Sequence, residues 1–211
     1  MYRAELKAIA KEQIRGKIGI LFLCNLIIGV IAFVLGVIAF VLGLIPVAGP
    51  VLTFLVITPI SFSIVGIYLG ISHDVKPEIG DLLKGFNYFS QALILNLLVA
   101  LFTFLWSLLL FVPGIIKSIS YSMSMYILWE NPDMKPLDAL DESKRMMNDH
   151  KMDAFVLGLS FIGWALLGSI TFGIAYIWVM PYMQATYTNF YHSLKGGYIN
   201  SSGAEAYESQ D

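Results

Sequence analysis

One lysine lies inside a long apolar tract of the sequence. Lys117 follows Pro113 and Gly114 in the stretch LFVPGIIKSISYS, which contains no other charged residue. An ionisable side chain in such a tract either lines a polar site or extends its ammonium to the edge of the apolar medium. Two interpretations stay open: Lys117 anchors a short helix at that edge, or it faces a cavity and binds an anionic ligand.

A second concentration of polar side chains follows Pro181 in an otherwise apolar segment. Proline removes the helical hydrogen bond to the carbonyl four residues earlier, and transport proteins use such interrupted helices to expose backbone groups to a cavity. Pro181, Tyr182 and Gln184 are therefore candidates, together with Lys117, for contact with a ligand or lipid. Packing of a kinked helix is the alternative explanation.

The sequence contains no recognisable catalytic or metal-binding motif. Ser160 lies in GLSFIG, which lacks the Gly-x-Ser-x-Gly spacing of a nucleophile elbow, so we expect it to bond a backbone carbonyl. His73, His150 and His192 have no second ligand four residues away. The motifs of zinc proteases and phosphate-binding loops are also missing. We therefore predict no catalytic residue, no metal, no cofactor and no enzyme activity.

Composition identifies the medium around these residues. Hydrophobic residues make up 57% of the 211 residues and charged residues only 13%, about half the fraction usual in soluble domains. No Asp, Glu, Lys or Arg occurs between Lys17 and Asp74. Apolar runs beyond about 18 residues are typical of membrane-spanning helices. The net charge of -2 does not favour nucleic acid as a partner, and the single Cys24 has no partner for a disulfide.

Six apolar segments separated by helix breakers predict an all-α fold, a six-helix transmembrane bundle. The predicted spans are residues 18–45, 51–72, 91–112, 115–129, 154–171 and 173–190. The first is nearly twice as long as the apolar region of a cleavable signal peptide, so we expect it to be retained. Pro113 and Gly114 are expected to form the hinge between spans three and four.

Charged segments flank and separate these spans. An amphipathic N-terminal helix, with Tyr2, Leu6, Ile9 and Ile14 on one side, either lies on an anionic membrane surface or is a charged flank of the first span. A cytoplasmic surface helix is expected to begin near Pro136, between spans four and five. Residues 1–195 would form a single membrane domain, and residues 196–211 a flexible polar tail.

The first span contains an internal repeat, GVIAFVL at residues 29–35 and again at 36–42. The repeat arranges five small residues at spacings of three and four along one helix face: Gly29, Ala32, Gly36, Ala39 and Gly43. In lipid, small residues let helix backbones approach closely, so that van der Waals packing can hold helices together. We expect this face to contact another helix.

Basic residues predict the orientation in the membrane. If the N-terminus is cytoplasmic, all of the 13 Lys and Arg residues except Lys117 fall in cytoplasmic segments. Short cytoplasmic loops carry an excess of Lys and Arg in membrane proteins. The sequence therefore predicts a multi-pass protein of the cell membrane with both termini in the cytoplasm.

Several motifs from Gly85 onward are shared with a known family. The segments are GFNYFSQAL, LWSLLLFVPGIIKSISYSMSMYIL, NPDMKPLDALDESKRMM, LSFIGWALLGSITFGIAYIWVMPY and FYHSL. They resemble the bacterial integral membrane family catalogued as domain of unknown function 975, over roughly residues 1–195. The resemblance implies a polytopic membrane protein and brings no established activity. Asp149 stands where the family has a glycine.

Two functions are compatible with these patterns. The first is a non-enzymatic assembly or scaffold component that contacts membrane lipids and forms a homo-oligomer or binds another membrane protein. The second is a permease-like subunit that binds or moves a small or lipidic substrate along a path near Lys117 and Pro181. Co-purification of a stoichiometric partner would favour the first, and a substrate-dependent stability shift the second.

Overall fold

The computed structural model describes residues 3–41, 48–109, 111–171 and 175–208, and within these ranges it contains helices and no strand. The all-α prediction is confirmed for this part of the chain. A 3-10 helix, Ile79–Tyr88, precedes α4. The α-helices in chain order are α1 Arg3–Ile14, α2 Ile18–Val41, α3 Ala48–Ser72, α4 Phe89–Leu109, α5 Phe111–Ser120, α6 Ser124–Glu130, α7 Pro136–Met146, α8 Lys151–Leu159, α9 Ile162–Ile170 and α10 Tyr176–Glu208.

Four helical segments of the described chain are long and apolar enough to cross a membrane, which indicates membrane localisation. They are Ile18–Ile38, Thr53–Ser72, Ile79–Leu108 and Lys151–Ile170. These segments overlap the predicted spans one, two, three and five. Residues 115–129, predicted as one span, are divided between α5 and α6 by a turn at residues 121–123. The six-span topology therefore stays a prediction.

The connection between α4 and α5 comes earlier than the sequence predicts. Pro113 and Gly114 lie within α5, which begins at Phe111. The first residues of a helix have no intrahelical acceptor for their N–H groups, so proline is tolerated there. Gly114 packs against α4, because a Cβ atom at this position would lie 2.1 Å from Ser107 Oγ. The prediction that Pro113 and Gly114 form the hinge is wrong.

Burial changes along the length of the longest apolar helices. In α2 the buried residues Leu21 and Cys24 precede a run of exposed large side chains, and in α4 Leu95 is buried while Leu108 is 74% exposed. In α3 the exposed residues come first and the buried ones follow Thr58. We call the exposed apolar surface of α2, α3, α4 and α9 the apolar belt. In water such a surface would be costly, whereas in lipid it needs no protein partner.

The N-terminal helix packs on the protein. Leu6, Ala10 and Ile14 of α1 are buried at helical spacing, and α1 lies against α10. Asn189 Nδ2 donates a hydrogen bond to Gln13 Oε1 at 2.9 Å. Ile9, which the sequence places on the same apolar face, is exposed. The predicted helix is present, and its apolar side covers α10 instead of facing lipid alone. Tyr2 lies outside the described residues.

The surface helix between the fourth and fifth predicted spans is α7, which begins at Pro136 as the sequence predicts. Ser143 connects it to the turn between α5 and α6. Its hydroxyl donates to the Ser120 carbonyl at 2.8 Å and accepts from the Met123 N–H at 3.2 Å. Asp149, just beyond α7, has φ 62°, a left-handed conformation that glycine adopts most readily. The difference from the family pattern therefore falls at a position that suits glycine.

The C-terminal helix is longer than expected. α10 continues to Glu208, through most of the segment that the sequence predicts as a polar tail. Gly-Gly at positions 196 and 197 lies within it. The flexibility of residues 196–211 stays a prediction.

Candidate functional site

A cavity of about 770 Å³ lies between α1, α9 and α10. Its lining is mainly apolar, with two exposed tryptophans and a rim of charged residues from α1 and the turn that follows it. The lining residues are Ala8, Lys11, Glu12, Ile14, Arg15, Ile18, Trp164, Trp178, Val179, Pro181 and Tyr182. Ligand pockets typically have volumes of about 300–1,000 Å³ and combine apolar walls with a few polar groups.

The turn between α8 and α9 fixes one wall of the cavity. Phe161 is buried at this turn and packs edge-on against Tyr182, with ring centroids 5.6 Å apart. Lys7 of α1 places its Nζ 4.3 Å from the centre of the Phe161 ring. This cation–π contact joins α1 to the turn. Because α9 follows the turn directly, the contact also determines where Trp164 stands relative to α1.

The rim of the cavity carries more basic than acidic side chains. Arg15 Nη1 lies 3.9 Å from Glu12 Oε2, and both side chains are mostly exposed. Lys11 forms no ion pair within the described part of the chain. With two basic residues and one acidic residue, the rim carries a net charge of +1. Lys7 adds a further positive charge nearby, and burial lowers the pKa of its ammonium.

The residues that the sequence singles out for ligand contact are only partly brought together. Pro181 and Tyr182 line the cavity, whereas Lys117 and Gln184 are not among its lining residues. Lys117 belongs to the last turn of α5, and its Nζ lies 4.7 Å from the centre of the Trp106 ring on α4. A cation–π contact of this kind satisfies the charge partly within the chain itself.

Among the described residues, nothing packs closely against the two described glycines of the small-residue stripe. A Cβ atom added at Gly29 or Gly36 would meet no atom within 4 Å. The side chains of Ala32 and Ala39, and the whole of Gly43, lie outside the described residues. Gly29 and Gly36 therefore pack closely against no described helix of the chain, and contact of the stripe with another helix stays a prediction.

Sequence analysis missed a polar cluster at the end of α3. Ser72 Oγ lies 2.7 Å from His192 Nε2, and the rings of His73 and His192 are 5.1 Å apart. Burial and the neighbouring His73 lower the pKa of His192, so the neutral imidazole is favoured. The available signal was that both histidines follow long apolar segments whose ends were predicted to lie on the same side of the membrane.

Residues of α10 next to His192 take part in a charged network. Glu130 Oε2 accepts hydrogen bonds from Tyr191 Oη and Lys195 Nζ, each at 2.5 Å. Burial and the hydrogen bond to Glu130 raise the pKa of Tyr191, which keeps the phenol protonated as a donor. These bonds connect α6 to α10, so Glu130 serves the packing of the two helices.

The remaining candidates for chemistry are engaged locally. Ser160 Oγ donates to the Leu157 carbonyl at 2.5 Å, which is the role expected from sequence. His150 Nδ1 lies 3.5 Å from Asp153 Oδ2. Among the described residues, no three His, Cys, Asp or Glu side chains are grouped closely enough to hold a metal ion.

The long apolar helices and the apolar belt indicate a helical protein associated with a membrane. A family model described as "Protein of unknown function (DUF975)" matches residues 1–118 and 108–197. The chain therefore belongs to this family, as its motifs indicate. No curated protein and no solved structure matches the chain.

Proposed function

We propose that the chain is a non-enzymatic assembly or scaffold component of the cell membrane, multi-pass with both termini in the cytoplasm. The observation that carries this proposal is the contrast between its polar and apolar groups. Ser143, Glu130 and Asn189 all form hydrogen bonds that join helices. The apolar belt, in contrast, exposes large apolar side chains and is suited to lipid or to another membrane helix.

Six membrane crossings are part of this proposal. Val112 of α5 and Trp178 of α10 are exposed apolar residues outside the four long segments. The ten residues of α5 span only about 15 Å, half of a hydrocarbon core of about 30 Å. We propose that α5 and α6 together make the fourth crossing and that the first part of α10 makes the sixth.

Assembly is proposed to use the open face of α2. Among the described residues, none packs closely against Gly29 or Gly36, and Val30 and Phe33 beside them are exposed. A second copy of the chain could bring its own α2 close to this face, since glycine allows two backbones to approach within packing distance. Close approach replaces lipid contacts by denser helix contacts.

The oligomeric state in lipid nanodiscs or mild detergent tests the proposal. Gly36→Leu should reduce the dimer fraction, because the added side chain separates the two helices. Val37→Leu is the matched control, since residue 37 lies about 100° around the helix and tolerates a larger side chain. A monomeric wild-type chain without a co-purifying partner would contradict assembly, and equal effects of both substitutions would exclude this face.

A permease-like subunit is the second candidate function. The observation that favours it is that Pro181 and Tyr182 line a cavity together with cationic residues at the end of α1 and just after it. Lys117, the other residue of the expected path, contacts Trp106 instead. The cavity therefore supports one part of the permease-like alternative, namely the binding of a ligand between α1 and α10.

A further inference from the structure

We propose that the cavity between α1, α9 and α10 binds one anionic phospholipid, with its headgroup at Lys11 and Arg15 and an acyl chain against Trp164 and Trp178. This inference rests on the proposed membrane placement of the chain and gives the second candidate function a ligand class. It does not depend on assembly through α2.

The division of the cavity into a charged rim and an apolar wall matches an amphiphile. Lys11 lies in the last turn of α1, and Arg15 directly follows the end of this helix at Ile14. Trp164 and Trp178 come from α9 and α10 and form part of the apolar wall. A ligand that is polar throughout would leave the tryptophans without a partner, and a purely apolar ligand would leave the cations unused.

The charge of the rim selects an anion. Lys11 has no ion pair within the described chain, and Arg15 is held only by the exposed Glu12 at 3.9 Å. Exposed pairs of this kind contribute little, so a phosphate can replace Glu12 as the partner of Arg15. Arginine binds phosphate through two parallel N–H groups. A zwitterionic headgroup would add a positive charge next to these cations.

The surroundings of the cavity favour a membrane lipid over a soluble anion. Ile162, Ile170 and Met180, which belong to the helices of the apolar wall, are exposed. An acyl chain leaving the cavity therefore meets further apolar surface. Tryptophan and basic residues together are typical of the boundary between headgroups and hydrocarbon, where anionic lipids attract Lys and Arg.

The position of α1 is set by contacts that a ligand need not supply. Leu6, Ala10 and Ile14 hold the helix on the bundle, and Lys7 holds it over Phe161. The rim cations Lys11 and Arg15 are thus placed before a lipid arrives. Such preorganisation lowers the entropic cost of binding.

Native mass spectrometry of the full chain from nanodiscs tests the proposal. The discs contain phosphatidylcholine with a minor fraction of phosphatidylglycerol, and the measurement is the number of each lipid retained per chain. Lys11→Gln with Arg15→Gln should lower phosphatidylglycerol retention roughly thirtyfold, because two cations near the phosphate are lost. Lys76→Gln with Lys135→Gln removes the same charge elsewhere and should leave retention unchanged.

A second variant blocks the cavity without removing charge. Ala8→Trp places a large side chain in the cavity and should also abolish retention, whereas Ala4→Trp, on the exposed surface of α1 outside the lining, should not. Wild-type retention in both the charge variant and Ala8→Trp would overturn the proposal. Equal retention of phosphatidylcholine, or replacement of the lipid by an added free fatty acid, would overturn the assignment of an anionic phospholipid.

Failure of this inference is distinguishable from failure of the proposed function. The same mass spectra report the oligomeric state, which depends on α2 and not on the cavity. If a cavity variant loses the lipid while its oligomeric state is unchanged, the result supports lipid binding in the cavity independently of assembly. An unchanged lipid count in a chain made monomeric by Gly36→Leu shows that the two sites are separate.

Discussion

Replacing Leu6 by alanine should release α1 from the bundle, whereas replacing Ile9 should not. Leu6 is 3% exposed and packs in the main core, while Ile9 is 44% exposed on the same helix. A buried Leu→Ala change costs about 2–5 kcal/mol, and a change at an exposed site costs less than about 0.5 kcal/mol. The two positions differ by less than one helical turn, so they form a matched pair.

Hydrogen exchange of the α1 amides, measured by mass spectrometry on the purified protein in lipid, detects this release. If α1 opens as a local unit, a loss of about 2 kcal/mol raises its exchange rate roughly thirtyfold. We expect this increase for Leu6→Ala and less than a threefold change for Ile9→Ala. Alanine has a higher helix propensity than either residue that it replaces, so a loss of propensity cannot explain faster exchange in Leu6→Ala.

The comparison separates two locations for α1. A helix that lay only on the membrane surface would use Ile9 and Leu6 alike to contact lipid, and both variants would loosen it equally. Of these two residues, a helix docked on the bundle depends only on Leu6. Equal exchange rates in the two variants would therefore refute the packing of α1 and, with it, the preformed cavity.

Three further predictions follow from single residues. Lys117→Arg should retain the fold. Lys117→Gln should also fold, but its free energy of unfolding should fall by about 0.5–1 kcal/mol, because the amide gives up the cation–π contact with Trp106. Thermal unfolding in detergent measures both variants. Because the pKa of His192 is lowered in the fold, its contribution to stability is complete above about pH 6.5 and is lost as the pH falls towards the lowered pKa. The melting temperature should therefore fall below that pH, less so in His192→Gln. Asp149→Gly should raise the unfolding free energy by up to about 1 kcal/mol, since φ 62° favours glycine.

Each of these predictions has a contradicting outcome. A Lys117→Gln protein that fails to fold would show that the lysine does more than stack on Trp106. Identical pH profiles for the wild type and His192→Gln would show that His192 does not cause the acid sensitivity. Destabilisation by Asp149→Gly would show that the aspartate side chain, not the backbone, determines the end of the preceding turn.

Local patterns in the sequence were sufficient to predict many helices. Pro136 marks the start of α7 because proline suits a first helical turn, and α1 follows from its periodicity. The apolar runs correspond to four segments long enough to span a membrane. Pro113 shows the limit, since a proline near a turn is compatible both with the hinge and with the first turn of the next helix.

Contacts between distant parts of the chain could not be predicted in this way. Gln13 and Asn189 are 176 positions apart, and Ser72 and His192 are 120 apart. Periodicity identifies which face of a helix is apolar, but it does not say whether protein or lipid covers that face. For this reason Pro181 and Tyr182 were recognised as candidates, whereas their cationic neighbours on α1 were not assigned to the same site.

Labelling of single cysteines in intact cells tests the membrane placement on which both proposals rest. In a Cys24→Ser background, cysteines at Asp138 and Ser201 should be shielded from an impermeant thiol reagent, and a cysteine at Ala48 should be labelled. This pattern is expected if α2 and α3 cross the membrane and both the α7 region and the C-terminus are cytoplasmic. Labelling at Ser201 from outside would contradict the proposed topology. So would a cysteine at Ala48 that stays unlabelled in intact cells but reacts once the protein is denatured.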